Sequence, residues 1–106
     1  HAYAFVEHEQ RVGALCTELG FAHVSMSHRI AQIVKFVPRG LTACVDAYLT
    51  PLVAEYVRKF RAGFDERFDD VDVAFMMSDG GLCPLDAFNG YRSILSGPAG
   101  GVVGYA

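Results

Sequence analysis

The sequence predicts an α/β fold in which short strands accompany one long central helix. Three observations support this prediction. Residues 5–19 and 41–68 place apolar side chains at helical spacing. Gly20 follows the first of these segments as a C-cap glycine would, and an apolar run comes next. Residues 71–77 are apolar enough to form a mostly buried strand. This order of helix, glycine and strand is typical of α/β proteins.

After the first helix, residues 21–26 are predicted to form a short strand. The following segment, residues 27–37, is ambiguous. Ser27 can begin a short turn, whereas residues 33–37 are β-branched enough to form a strand. Residues 38–40, Pro-Arg-Gly, are expected to end this segment.

The long helix is predicted over residues 41–68, with Thr42 as its N-cap. Pro51 is expected to kink the helix or to split it near Thr50. Charged side chains fall mostly between the apolar ones, so the apolar stripe is interpreted as core packing. Its members are Leu49, Leu52, Val53, Tyr56, Val57, Phe60, Phe64 and Phe68.

Residues 69–70 are expected to break this helix before the strand at 71–77. A short helix is predicted over residues 84–88, since proline suits a first helical turn. Residues 92–95 are predicted as a further strand, and residues 96–104 as the beginning of a glycine-rich helix.

Composition limits the classes of function. Nine basic and twelve acidic residues give a net charge of −3, which disfavours a nucleic-acid-binding protein. No apolar run approaches the ~20 residues that a membrane-spanning helix needs. The three cysteines have no CxxC spacing, which favours a reduced, intracellular chain in which each is a small buried residue.

The stretch Ser78-Asp79-Gly80-Gly81 is the first candidate for chemistry. Asp79 is the candidate catalytic residue, because a carboxylate after a strand can accept a proton, orient a substrate amide or hold a metal-bound water. Ser78, Gly80 and Gly81 are candidate binding residues, since paired glycines let backbone N–H groups face an anion. The alternative is a tight turn in which Asp79 caps the next element.

A second candidate is the start of the glycine-rich helix, where Ser96, Gly97, Gly100 and Gly101 are assigned to substrate or nucleotide binding. Gly100 and Gly101 are expected where a Cβ would obstruct a ligand or a neighbouring backbone. The alternative is close helix packing that glycine allows.

The histidines indicate no metal site. His23 and His28 could be combined with a cysteine, but their spacing matches no zinc signature, so satisfied or surface histidines are favoured. A Ser96–His23–Asp79 triad can be drawn on paper, and a drawing of that kind has almost no weight.

Four stretches, taken together and in this order, resemble the hydantoinase/oxoprolinase family. They are residues 23–27 (His-Val-Ser-Met-Ser), 38–51, 77–82 and 95–105. The resemblance covers nearly the whole chain. Ser-Asp-Gly-Gly and Ser-Gly-Pro-Ala-Gly-Gly-Val-Val-Gly mark the wider family. Val-Pro-Arg-Gly, Asp-Ala-Tyr and the final Gly-Tyr point to its eukaryotic-type ATP-dependent 5-oxoprolinase branch.

The resemblance implies an enzyme that opens 5-oxo-L-proline to L-glutamate while hydrolysing ATP with Mg²⁺, in the cytoplasm and within glutathione turnover. It implies a fold like actin, sugar kinases and Hsp70, of ribonuclease-H type, and a full-length protein that is a homo-oligomer. The alternatives are a hydantoin-opening relative and a non-catalytic ATP-binding module of the actin and Hsp70 class.

The phosphate loops of this family are of the kind Asp-x-Gly-Gly-Thr, and neither occurs in this sequence. Residues 1–106 are therefore interpreted as an internal piece of one hydantoinase A/oxoprolinase-type domain, inactive on its own. Met77 stands where relatives usually carry a polar residue, which puts any ligand contact by that side chain in doubt.

Overall fold

The computed structural model describes residues 2–64, 68 and 71–106. The chain divides into two compact units, His1–Tyr48 and Leu49–Ala106. The interpretation of residues 1–106 as part of one domain stays a prediction. Among the described helices, none has both the length and the apolar character needed to cross a bilayer.

The first unit contains helix α1 (Glu7–Glu18), the short helix α2 (Ser27–Ile30) and the beginning of α3 (Phe36–Ala62). The prediction of the first helix and of its C-cap is confirmed. Gly20 has a φ of 90°, and the amides of Gly20 and Phe21 donate to the carbonyls of Thr17 and Cys16. This left-handed glycine ending is a common way to satisfy the last carbonyls of a helix.

The strand predicted at 21–26 is wrong, and of the two interpretations left open for residues 27–37 the strand at 33–37 does not form. Residues 21–26 lie in no strand, Ser27 begins α2, and α3 begins at Phe36. Glu9 of α1 holds α2 in place, since its carboxylate oxygens accept the amides of Ser27 and His28 at 2.8 and 3.1 Å. These two amides belong to the first turn of a helix and have no acceptor within it.

The beginning of α3 also differs from the prediction, because residues 38–40 lie inside the helix. Pro38 is tolerated there because a first-turn residue needs no amide proton. Thr42 is not the N-cap: it lies within the helix, and its hydroxyl donates to the Pro38 carbonyl at 2.8 Å. The buried Arg39 donates to the carbonyls of Ile33 and Val34 and so fixes the preceding loop.

The prediction of a long central helix is confirmed, although its bounds differ. Helix α3 continues through Pro51 without being split and ends at Ala62. The break expected at residues 69–70 lies outside the described residues.

The second unit contains a hairpin of two short antiparallel strands, β1 (Ala74–Met76) and β2 (Leu82–Pro84), in which Phe75 pairs with Cys83. A 3₁₀ turn (Leu85–Ala87) and the helices α4 (Gly90–Ser93) and α5 (Ser96–Tyr105) follow. The strand at 71–77 is confirmed in shorter form, the glycine-rich helix is confirmed, and the helix expected at 84–88 is this 3₁₀ turn.

The strand predicted at 92–95 is wrong. Residues 90–93 form α4, and the side chain of Asn89 caps it by accepting the amide of Arg92. The described chain is therefore a set of helices with one small two-stranded sheet, which agrees with the α/β class only in its coarse form.

The predicted stripe agrees with core packing only in part: its aromatic side chains make ring contacts. The ring centroid of Phe60 lies 5.5 Å from that of Phe75 on β1, and Phe75 stacks on Phe88 at 4.9 Å. Burial is shallow, however. Phe64 is 52% exposed, and among the described hydrophobic residues only Cys83 is buried, at 5% exposed. The expectation of buried cysteines therefore holds for Cys83 and is wrong for Cys44, which is exposed.

Candidate functional site

The turn of the hairpin carries the predicted catalytic residue. The Met77 amide donates to the Gly81 carbonyl at 2.7 Å, and Gly80 adopts a φ of 84° that favours glycine. Asp79 is exposed, and its Oδ1 accepts the Gly81 amide at 2.9 Å. One carboxylate oxygen thus supports its own turn, as the capping alternative requires. The catalytic role of Asp79 toward a ligand stays a prediction.

Ser78 has a positioning role. Its amide and its hydroxyl both donate to the Arg92 carbonyl, at 2.7 and 2.6 Å, and its Oγ accepts the Leu95 amide at 3.0 Å. Because these bonds occupy the hydroxyl hydrogen and one lone pair, Ser78 connects the hairpin turn to the segment between α4 and α5.

This connection forms a cavity of about 190 Å³ that is lined by Met77, Ser78, Asp79, Tyr91 and Arg92. The guanidinium of Arg92 donates to the Tyr91 hydroxyl at 2.9 Å and to the Ala87 carbonyl at 3.3 Å. The hydrogen bond to Tyr91 raises the pKa of Arg92. None of the ion pairs found among the described residues involves Arg92.

The cavity therefore combines a carboxylate with a guanidinium that has no acidic partner within the described part of the chain. Such a pair can hold an anionic group at one end of a small ligand and accept a hydrogen bond at the other. Sequence reasoning missed Tyr91 and Arg92, because residues 92–95 read as a strand. The turn signal of Asn89-Gly90 directly before them was the available hint.

The second candidate stretch forms the beginning of α5. The structure does not bring its residues into the cavity of Asp79 and Arg92. Ser96 lines a different cavity, beside Phe75 and Phe88. A Cβ on Gly97 or Gly101 would meet no described atom within 4 Å, and one on Gly100 would make an ordinary contact, 3.5 Å from Met76 Cγ. Close backbone packing within the described residues therefore does not explain Gly100 and Gly101, and their assignment to ligand binding stays a prediction.

At Gly80 the fold itself explains why the residue is glycine. Besides its positive φ, a Cβ at Gly80 would lie 3.1 Å from Val103 Cγ2 on α5. At Gly81, a Cβ would lie 3.0 Å from Met77 Cε. The hairpin turn thus packs closely on α5 and on itself.

Two of the histidines, His23 and His28, have hydrogen-bond partners, as predicted. His28 Nδ1 lies 2.5 Å from Glu9 Oε2, and His23 Nε2 lies 2.8 Å from Ser25 Oγ. Within the part of the chain that the structure describes, no three His, Cys, Asp or Glu residues are grouped so that they could hold a metal ion.

The family model described as hydantoinase/oxoprolinase matches residues 39–106, a range that includes the hairpin turn, Arg92 and α5. The chain belongs to the hydantoinase/oxoprolinase family. The resemblance found in the sequence is thereby confirmed. No solved structure matches the chain.

Curated relatives match over all 106 residues. The chain is 61% identical to a 5-oxoprolinase of Dictyostelium discoideum, 53% to 5-oxoprolinase 1 of Arabidopsis thaliana, and 46% to a 5-oxoprolinase of Saccharomyces cerevisiae. The match covers 100% of this chain and 8% of each relative. The chain therefore spans less than a tenth of the length of these family members.

Proposed function

We propose that this chain is a segment of an ATP-dependent 5-oxoprolinase, which opens 5-oxo-L-proline to L-glutamate and hydrolyses ATP in the same cycle. The observation that carries the proposal is the identity of 46–61% to three proteins named 5-oxoprolinase, which extends over the whole chain. The intact enzyme is further proposed to be a cytoplasmic homo-oligomer of glutathione turnover, with an actin- and Hsp70-like nucleotide-binding fold.

The chemistry explains why ATP is needed. A five-membered lactam is a poor electrophile, and phosphorylation of its amide oxygen makes the ring carbon open to attack by water. The Asp-x-Gly-Gly-Thr phosphate loops of the family do not occur in residues 1–106. ATP and Mg²⁺ are therefore proposed to bind at phosphate loops in other parts of the intact enzyme.

The cavity beside the hairpin turn fits the substrate of this reaction. 5-Oxo-L-proline carries a carboxylate and a ring N–H. Arg92 is the proposed partner of the carboxylate, because a guanidinium binds carboxylates through paired hydrogen bonds. Asp79 is the proposed acceptor of the ring N–H, while Ser78 keeps the two in place. The first-turn amides of Ser96 and Gly97 are proposed to face bound ligand at the start of α5, and Gly100 and Gly101 to leave the adjoining helix surface free of a Cβ.

The glycines can be tested in the intact enzyme with Gly100→Val. The proposal predicts normal folding with weakened affinity for nucleotide or 5-oxoproline, measured by calorimetry. Gly40→Val is a control for the cost of a β-branched residue in a helix, because a Cβ there also meets no described atom within 4 Å. Normal binding of both ligands would remove these glycines from the site.

The function is tested by following ADP and ring-opened product when purified intact enzyme is given ATP with 5-oxoproline or with hydantoin. Equal amounts of ADP and glutamate from 5-oxoproline support the proposal. Opening of hydantoin alone would favour the hydantoin-opening alternative, and ATP hydrolysis without any ring opening would favour a non-catalytic module. The isolated 106-residue chain is expected to be inert in both assays.

A further inference from the structure

Tyr91 and Arg92 are neighbours in the short helix α4 of the second unit, and both line the cavity that contains Asp79. Arg92 Nε donates to the Tyr91 hydroxyl at 2.9 Å, and the guanidinium carbon lies 5.5 Å from the centroid of the Tyr91 ring. An aromatic face attracts a guanidinium at this distance. Tyr91 therefore holds the charged end of Arg92 through both its hydroxyl and its ring.

Hydrogen bonds within the second unit fix the backbone of α4. Asn89 accepts the Arg92 amide, the Gly90 amide donates to Thr50 Oγ1 at 2.8 Å, and Ser78 donates twice to the Arg92 carbonyl. With the main chain in place, the position of the guanidinium depends on the side-chain torsions of Arg92. Arginine loses much rotational freedom when its side chain is held. A group that holds it before a ligand arrives therefore lowers the cost of binding that ligand.

The contacts that hold the guanidinium leave part of it for a ligand. Besides the bond from Nε to Tyr91, Nη1 donates to the Ala87 carbonyl at 3.3 Å, which is longer and therefore weaker. Hydrogen bonds with Tyr91 and, to a smaller extent, with the buried Cys83 thiol raise the pKa of Arg92. Of the five N–H groups of a guanidinium, these contacts with described residues leave two. A carboxylate needs two for a paired hydrogen bond.

We propose that Tyr91 is a positioning residue for the substrate, whose hydroxyl holds the Arg92 guanidinium ready to receive the carboxylate of 5-oxoproline; this inference rests on the proposed function. A tyrosine with only a packing role would need its ring but not an acceptor for the guanidinium. Because Tyr91 acts through Arg92, its contribution to binding exists only while Arg92 is present. The contribution concerns binding of the lactam rather than binding of ATP or the ring-opening step.

The test uses the intact enzyme with Tyr91→Phe, which keeps the ring and removes only the hydroxyl. Tyr105→Phe is the matched control, since Tyr105 is 97% exposed. For Tyr91→Phe, KM for 5-oxoproline is expected to rise about 5-fold, within the range for one lost hydrogen bond. KM for ATP and kcat should stay close to wild type. The kinetics are measured well below the unfolding midpoints of all variants, so that a loss of stability does not enter the comparison.

A double-variant cycle separates positioning from direct contact with the substrate. In the Arg92→Gln background, Tyr91→Phe is expected to raise KM for 5-oxoproline by less than about 2-fold, because the group that Tyr91 positions is already absent. A hydroxyl that bound the substrate independently of Arg92 would raise KM by the same factor in both backgrounds.

The inference is overturned by a Tyr91→Phe variant with the KM of the control, by equal effects of Tyr91→Phe in the two backgrounds, or by an Arg92→Gln variant whose KM is unchanged. Each of these results leaves the proposed function standing, provided that the wild-type enzyme opens 5-oxoproline. An intact wild-type enzyme that does not open 5-oxoproline would overturn the proposed function as well.

Discussion

The amide and the hydroxyl of Ser78 both donate to the carbonyl of Arg92, at 2.7 and 2.6 Å. These two hydrogen bonds fix the backbone of Arg92 next to the hairpin turn. Its guanidinium is thereby held beside Asp79, which lies on that turn. The cation and the acid of the candidate site therefore come to line one cavity although they belong to different elements.

Arg92→Gln in the intact enzyme is expected to raise KM for 5-oxoproline about 10-fold or more, because a charge-assisted hydrogen bond contributes ~1.5–3 kcal/mol. Steady-state kinetics measures this change. Arg58→Gln is the control, since Arg58 is an exposed arginine paired with Glu55, and surface pairs contribute little. An unchanged KM for Arg92→Gln would remove the guanidinium from substrate binding.

Gly90→Ala is expected to lower the free energy of unfolding by about 1–3 kcal/mol, the range for overpacking. A Cβ at Gly90 would lie 2.6 Å from the Thr50 amide nitrogen, and the Gly90 amide donates to Thr50 Oγ1 at 2.8 Å. Urea denaturation measures the change. Gly40→Ala, where a Cβ meets no described atom within 4 Å, should be neutral or stabilising. If Gly90→Ala and Gly40→Ala changed the free energy of unfolding equally, the backbone near Thr50 would have moved to make room for the Cβ at no cost in stability, which would contradict the prediction.

Phe60→Ala is expected to lower the free energy of unfolding by ~3 kcal/mol, near the low end for loss of a packed phenylalanine. Phe60 has ring contacts with Tyr56, Phe64, Phe68 and Phe75. Phe64→Ala should cost less, because Phe64 is more than half exposed. The same denaturation series compares them, and a larger loss for Phe64 would contradict this account of the stripe.

Glu9 makes stability depend on pH. Burial would raise the pKa of its carboxyl, but hydrogen bonds from Ser27 and His28 outweigh this effect and lower the pKa from 4.5 to about 2. The folded state therefore favours the charged form. Its stabilisation is fully present above pH 4.5 and is lost as the pH falls toward 2.

Glu9→Gln should thus be less stable than wild type by ~2 kcal/mol at pH 7, in the range for hydrogen bonds to a charged group. The difference should shrink toward zero between pH 4.5 and pH 2, as unfolding curves at several pH values would measure. Glu18→Gln, an exposed position on α1, is the control. A difference that does not change with pH would contradict the assignment.

The fold was predictable where the signal is local. The periodicity of α1 and α3 and the positive φ at Gly20 depend on neighbours in the chain, and the glycine-rich α5 follows directly from its own residues. Strands depend on partners. Residues 21–26 and 92–95 have no partner strand within the described residues. The first segment stays irregular, and the second is helix at Arg92 and Ser93 and turn at Ile94 and Leu95.

The sequence predicted which residue types belong to the candidate site, but only partly which of them lie near one another in the structure. Ser78 and Asp79 were found because they follow a strand, whereas Arg92 comes to them through hydrogen bonds that no periodicity signals. His23 shows the same limit. The triad that can be drawn on paper with Ser96 and Asp79 has almost no weight, and the hydrogen-bond partner of His23 in the structure is Ser25.

The most direct test of the site is Asp79→Asn in the intact enzyme. An asparagine Oδ1 can still accept the Gly81 amide, so the turn keeps its hydrogen bond and loses only the charge. Asp72→Asn, at another exposed aspartate, is the matched control.

The measurement is kcat for ATP-dependent opening of 5-oxoproline, taken together with the unfolding midpoint. We predict that Asp79→Asn lowers kcat at least ~100-fold, as expected for losing a positioned charged group, while its unfolding midpoint matches that of Asp72→Asn. A kcat close to wild type would show that Asp79 only caps its own turn, and would contradict the central claim that this cavity serves the reaction.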